Sequence, residues 1–172
     1  MRQKLERWDL PLFPRLRAER AVDVLRRLAA LTPPRVAAAV LRTYWSGWCT
    51  ARRFGGRARC LFCGDSDGDS VEHASICKVL AGFGRDHMRV PCQPEPGDHG
   101  LAVLLLLPRS QLGDVQLTLG ALRLAAVHCL FRRRPERLRT AEAIRGALGQ
   151  VVKELVQGHR IATQALDQRW HR

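Results

Sequence analysis

Cys60, Cys63, His73 and Cys77 form the pattern C-x2-C-x9-H-x3-C within eighteen residues, and no other feature of the chain restricts its folding as tightly. Structural zinc is almost always held tetrahedrally by thiolate sulfur and imidazole nitrogen, and these four side chains supply one complete set. An ion bound by all four would be structural, because no coordination position stays open for water or substrate. Gly64 directly follows the C-x2-C unit and allows the reversal that points both sulfurs inward. The acidic, turn-rich run Asp65-Ser66-Asp67-Gly68-Asp69 comes next, and Asp69 or Ser70 is suited to cap a helix starting at Val71. On that helix His73 and Cys77, four residues apart, would share a face, and Glu72 would sit in the first turn, where it suits the helix dipole. Buried apolar cysteines without metal, or a disulfide pair, remain as alternatives. Cys49, Cys92 and Cys129 lie outside the pattern, and Cys129 falls on an apolar helical face.

Charge is distributed in blocks. Of 172 residues, those from 1 to 60 carry fourteen Lys and Arg against four acids, whereas 61 to 77 carry four acids and no base. The stretch 131 to 172 is basic again, with ten against four. Only three of the bases are Lys, so the positive surface is almost wholly guanidinium, which grips phosphate bidentately and stacks on bases. Arg52, Arg53, Arg57 and Arg59 lead into Cys60 with Phe54 and two glycines among them, a segment suited to lie along a phosphate backbone. A nucleic-acid partner, RNA or DNA, is therefore expected, against the plainer reading of a solvated Arg-rich face.

The apolar run Leu101 to Leu107 stops at Pro108, far short of the roughly 20 residues that span a bilayer, so it reads as a buried segment and no membrane partner is expected. Met1 to Trp8 is charged and lacks the apolar stretch of a secretory signal, which points to an intracellular protein, nuclear or cytoplasmic, with reduced thiols.

Periodicity predicts a mainly α fold. Arg17 to Leu31 has Val22, Leu25, Leu28 and Leu31 on a narrow stripe. After Pro33-Pro34 a second helix is expected, capped by Thr32, with Val36, Val40, Leu41, Tyr44 and Trp45 on one side. Trp45 and Trp48 read as lids over a small core. Lys78 to Phe83 should finish the helix that carries His73 and Cys77, with Gly82 and Gly84 ending it, and 91 to 100 reads as loop. Two long helices are expected to close the chain as an antiparallel hairpin, from Leu112 to Arg133 and from Thr140 to Gln168, joined through Arg132-Arg133-Arg134-Pro135. His87 and His99 are left out of the ligand set. The resulting organisation is a basic helical lead-in (1–43), a CCHC zinc-binding module (44–84), a loop with a short apolar segment (85–111) and a helical hairpin (112–172). A small CCHC knuckle thus stands between N-terminal helices and a long-helix hairpin.

The stretch from Trp45 through Trp48 to Arg52-Arg53-Phe54, then Cys60-Leu61-Phe62-Cys63-Gly64, Asp69-Ser70-Val71-Glu72-His73 and Cys77, resembles the zinc-binding region that follows the polymerase domain in non-LTR retrotransposon reverse transcriptases. The resemblance covers about residues 44 to 80. It implies one structural zinc ion on Cys60, Cys63, His73 and Cys77 and a basic surface that helps hold template RNA or target DNA. Catalysis does not carry over, because the sole tyrosine, Tyr44, is followed by Trp45 and not by the paired aspartates that bind magnesium. The chain then reads as a non-catalytic, zinc-binding, nucleic-acid-binding module with no small-molecule substrate. The rival reading is a zinc-stabilised helical module that binds a protein partner through its leucine-rich helices.

Overall fold

The computed structural model describes residues 5–6, 8, 10, 14–45, 47–50, 55–56, 58–66, 68–90, 100–133 and 140–169. Among them the elements are helical, with no strand: α1 (Pro14–Leu31), α2 (Pro34–Tyr44), α3 (Val71–Ile76), α4 (Lys78–Gly82), a π turn (Phe83–His87), α5 (Gly100–Leu104), α6 (Asp114–Arg133), α7 (Ala141–Val156) and α8 (Arg160–Gln168). The mainly α class expected from the periodicity is what the chain adopts.

α6 is the axis of the molecule. Every residue from Leu117 to His128 is buried, including Thr118 and Arg123, so this helix is enclosed on all sides and not along the single stripe its leucines suggest. Helices α1, α2, α7 and α8 all pack against it. By length and composition α6 could cross a membrane, yet 78% of its apolar window is buried inside the protein, where it serves as the core helix. The buried apolar residues form one continuous cluster, running from Leu5 through Tyr44, Leu80 and Leu122 to Leu166.

Tyr44 ties the first half of the chain to this core. Its ring is fully buried, and its hydroxyl donates to the carbonyl of Leu105 at 2.8 Å. Burial drives the phenol well above its ordinary pKa, so it stays a neutral donor. Leu105 belongs to the apolar run 101 to 107, which is buried as expected apart from the half-buried Leu101 and Val103. α5 closes with the amide of Leu107 on the carbonyl of Ala102 (2.8 Å) and that of Leu106 on Val103 (3.1 Å), the double closure of a Schellman motif. Leu106 occupies the left-handed position, φ 61°, that glycine usually fills. Its side chain is buried, so apolar packing offsets the backbone strain.

Several local expectations are corrected. Of the expected α1 stripe, Leu28 is fully buried and Leu25 and Leu31 pack against the core, but Val22 is exposed at 37%, and Ala21 and Val24 take the buried places at that end of the helix. Thr32 does not cap α2. Its hydroxyl donates back to the Leu28 carbonyl at 2.8 Å, and α2 starts at Pro34, whose missing N–H needs no partner there. On α2, Val36, Val40 and Tyr44 are buried, but Leu41 and Trp45 face outward; of the two tryptophans only Trp48 is a core residue, its indole N–H donating to Thr43 Oγ1 at 3.0 Å.

The helix expected from Thr140 to Gln168 is two helices. Gln157 (φ −53°, ψ 123°) and Gly158 (φ 76°) form the centre of a type II turn closed by His159 N–H on the Val156 carbonyl at 2.9 Å. His159 then caps α8, its Nδ1 accepting from the Ala162 amide at 3.3 Å. The first long helix begins at Asp114, and α6 and α7 pack together. The connecting residues 134 to 139, and residues 91 to 99 of the expected loop 91 to 100, with Cys92 and His99, lie outside the described residues, while Gly100 begins α5 instead of ending that loop.

His128 of α6 is 2% exposed and its Nε2 has no hydrogen-bond partner among the described residues. Burial first, then the positive charges of Arg132 and Arg42, push its pKa down from 6.5 to about 4. A depressed folded-state value means the unfolded chain takes up the proton first, so stability is retained above pH 6.5 and lost as pH falls from there towards 4. The loss from this group should be on the order of 3 kcal/mol at most. Urea unfolding of the native chain and the His128→Gln variant at pH 7.0 and 5.0 checks this: the drop should be larger in the native chain, and equal drops would refute it.

Candidate metal centre

The four pattern residues converge. Their ligand atoms, three sulfurs and one ring nitrogen, all lie within 4.8 Å of one another, with Cys60 and Cys77 buried and Cys63 and His73 partly so. In a tetrahedral site with metal–sulfur and metal–nitrogen distances near 2.3 and 2.0 Å, neighbouring donors stand roughly 3.5 to 3.8 Å apart. The cluster is therefore the right size for one ion. His73 Nε2 lies 3.1 Å from Cys63 Sγ, which identifies it as the nitrogen turned to the centre.

Backbone hydrogen bonds build the first half. The Gly64 amide closes on the Cys60 carbonyl at 3.0 Å, and the Phe62 amide points at Cys60 Sγ at 3.4 Å. Gly64 adopts φ 77°, the left-handed conformation that reverses the chain after the second cysteine. The segment before Cys60 is strapped to the acidic loop: Cys60 N–H donates to the Asp65 carbonyl at 2.9 Å, and Asp69 N–H to that of Ala58 at 3.2 Å. Phe62 is buried beneath.

The second half is delivered by α3. Ser70 caps it as the sequence indicates, its hydroxyl accepting from the His73 amide at 3.0 Å. The cap thus fixes the backbone of the candidate ligand His73 itself. Trp8, buried at 2%, donates its indole N–H to Glu72 Oε1 at 3.2 Å, tying the N-terminal segment to the same turn. Glu72 is so assigned a tethering contact beside the ligands.

Cys77 corrects the expectation of one continuous helix from 71 to 83. Its N–H still closes α3 on the His73 carbonyl at 2.8 Å, but its ψ of 119° breaks the helix, and its own carbonyl accepts from Ala81 to start α4. A kink at the ligand frees the sulfur from the strict i, i+4 direction of the histidine. Gly82 and Gly84 do not end the helical run; it passes through them as the π turn to His87, whose exposed ring stacks on Phe83 at 5.6 Å.

Gly68 is the member of the site that ligand spacing does not reveal. A Cβ there would lie 2.6 Å from Cys60 Cβ, 3.0 Å from the Asp65 carbonyl oxygen and 3.1 Å from His73 Cδ2. Only the absence of a side chain lets the two halves close. The signal in the sequence is a glycine midway through an acidic run.

The electrostatics fit a cation. The Cys77 thiol hydrogen-bonds to Cys60 and holds the latter down to about 5, whereas that same contact and burial push Cys77 up. Burial, foremost, raises Cys63 to about 11. Three sulfurs this close resist joint ionisation unless a positive charge sits among them, and thiolate ligation to a divalent ion supplies that charge. A sulfur-rich, nitrogen-completed tetrad suits borderline-soft metals over Mg2+ or Ca2+.

Of the four arginines expected to contact nucleic acid, Arg52, Arg53 and Arg57 lie outside the described residues; Arg59 is exposed beside Cys60, with no hydrogen bond or ion pair to a described residue. Cys49 is exposed and Cys129 only partly buried against the core. Comparison with known protein families, curated proteins and solved structures found no match.

Gly68→Ala should weaken metal binding by about tenfold or more, since the added methyl separates Cys60 from His73 and misplaced ligands are costly to a metal site. Competition with a chromophoric chelator measures it, and an affinity equal to that of the native chain would refute the close-packing account.

Proposed function

We propose that the chain is a non-catalytic nucleic-acid-binding module in which Cys60, Cys63, His73 and Cys77 hold one structural zinc ion as a CCHC knuckle. In this reading α6 and α7 form the helical hairpin behind it. The observation that carries it is the mutual approach of four ligand atoms whose chemistry is three sulfurs and one nitrogen. With four protein donors the coordination shell is complete, so the metal would organise structure and leave no open position for catalysis. Zinc is favoured over other borderline ions because tetrahedral sulfur–nitrogen coordination costs it nothing in geometry.

Binding of RNA or DNA is supported by the position of Arg59 and by the charge blocks. Arg59 sits exposed at the rim of the centre, one residue before a ligand, at the end of a segment with three more arginines. The straps from Ala58 and Cys60 to the acidic loop hold that end in place. The knuckle would then act as a fixed point from which an arginine-rich strand meets phosphates, which is also what the resemblance to the zinc-binding region of non-LTR retrotransposon reverse transcriptases implies. An intracellular setting, nuclear or cytoplasmic, belongs to the same proposal.

One observation favours a second reading. Ile76 is 74% exposed between two metal ligands, and Leu41 and Trp45 are also exposed, so a zinc-stabilised surface for a protein partner has apolar contacts to offer.

Salt separates the two. Affinity for single-stranded RNA or duplex DNA should fall linearly on a logarithmic salt scale, and Arg59→Ala should reduce the slope by about one. Fluorescence anisotropy from low to physiological salt measures this. Absence of binding at low salt, or binding indifferent to salt, would refute the nucleic-acid reading and leave the protein-partner one.

A further inference from the structure

A cleft of about 440 Å³ opens where α2, α6 and the C-terminal end of α7 meet, on residues remote in sequence from the metal centre. Arg35 and Arg42 of α2 and Arg132 and Arg133 of α6 line it together with His128. Two of these cations are already engaged. Arg35 donates to the main-chain carbonyls of Glu154 and Leu155 at the end of α7, and Arg133 Nη2 pairs with Glu154 Oε2 at 3.0 Å. The other two, Arg42 and Arg132, are exposed and make no side-chain hydrogen bond or ion pair with any described residue.

Guanidinium groups in the last turns of two helices have an ordinary explanation, since cations complement the negative ends of helix dipoles. That explanation leaves His128 unaccounted for. The ring is buried and lines the cleft, it packs against Trp48 with centroids 5.6 Å apart, and its Nε2 lacks a partner among the described residues. Buried polar atoms are normally satisfied, and an unsatisfied one on a residue that lines a cavity with two unengaged cations points to a guest that brings acceptors. Arg42 and Arg132 line the same cleft as the ring, and their charges add to burial, the larger cause, in keeping His128 neutral.

We propose that this cleft is a phosphate-binding site, in which Arg42 and Arg132 grip the phosphoryl oxygens and His128 Nε2 completes the contact from below. Guanidinium matches phosphate geometry with paired charge-assisted hydrogen bonds. The volume falls in the range of ligand pockets, roughly 300 to 1,000 Å³, and admits a nucleotide-sized group. Glu154 does not oppose the guest, because its carboxylate is committed to Arg133. The site stands apart from the zinc proposal: it needs neither metal nor the residues between 44 and 80 other than Trp48.

The phosphate can arrive on a small molecule or on a nucleic-acid strand, and the test has an arm for each. The full chain is titrated with inorganic phosphate, with a nucleoside 5′-monophosphate and with a short single-stranded oligonucleotide carrying or lacking a 5′-phosphate, while the His128 ring resonances are followed by NMR. A saturable shift is expected, weakened about tenfold or more by Arg42→Gln and by Arg132→Gln. Both positions are exposed, so thermal unfolding in phosphate-free buffer should be unchanged and separate lost binding from lost fold. A shift with phosphate and the mononucleotide alone assigns a small ligand; a shift with the oligonucleotide as well, equally sensitive to the two substitutions, assigns a strand phosphate. No shift with any of them, the same shift with chloride at equal ionic strength, or binding undiminished in the doubly substituted chain would overturn the site.

Discussion

Four donor atoms from two short segments have to share one point in space, and the region from 58 to 77 is organised around meeting that demand. The turn at Gly64, the bare Cα at Gly68, the Ser70 cap and the helix break at Cys77 together bring the four side chains within reach of one another. None of them is a large apolar contribution. α3 and α4 have six and five residues, too short to persist as helices by themselves. Three sulfurs held together with a single positive ion are stable; without one they repel as thiolates, or keep protons that crowd the centre. An ion held by these four side chains would add to this part of the chain what its short helices lack in burial.

The rest of the molecule solves a different problem by burial. α6 is enclosed on all sides, and α1, α2, α7 and α8 cover it. Burying an ordinary leucine side chain is worth roughly 2 kcal/mol, and this helix alone buries five of them fully or nearly so. The two halves meet in the same cluster: Phe62, Val71, Ala74 and Cys77 belong to the apolar core that includes Leu122 and Leu148. Trp8 on Glu72 adds a polar tie. The centre is consequently held against a rigid base, and the exposed Arg59 at its rim is held with it.

The gathering of Cys60, Cys63, His73 and Cys77, the mainly helical class and the Ser70 cap were legible in the sequence because each depends on residue type at short range. C-x2-C followed by His and Cys is a local pattern, and a serine before an apolar helical run is a local cap. What failed depended on tertiary context or on a single dihedral angle. Gly158 in a type II turn splits a helix whose apolar period runs on unbroken through Ala162 and Leu166, so the period alone hides the break. Thr32 bonds back to the carbonyl of the preceding turn at Leu28, a choice that residue type alone does not reveal. Val22 and Leu41 are apolar but face outward, because α6 claims neighbouring residues of their helices. The cleft between Arg42, Arg132 and His128 draws on residues nearly ninety apart and could not be read from spacing at all.

The most direct test of the account is titration of the reduced chain with Co2+, whose visible spectrum reports coordination geometry. Intense d–d bands of a tetrahedral ion with a sulfur-to-metal charge-transfer band, saturating at one equivalent and abolished by excess Zn2+, are the result expected, with Cys77→Ser losing that saturation. A weak octahedral spectrum indifferent to Cys77→Ser, or no binding, would show that the four side chains do not form a metal centre, and the proposed function would fall with it.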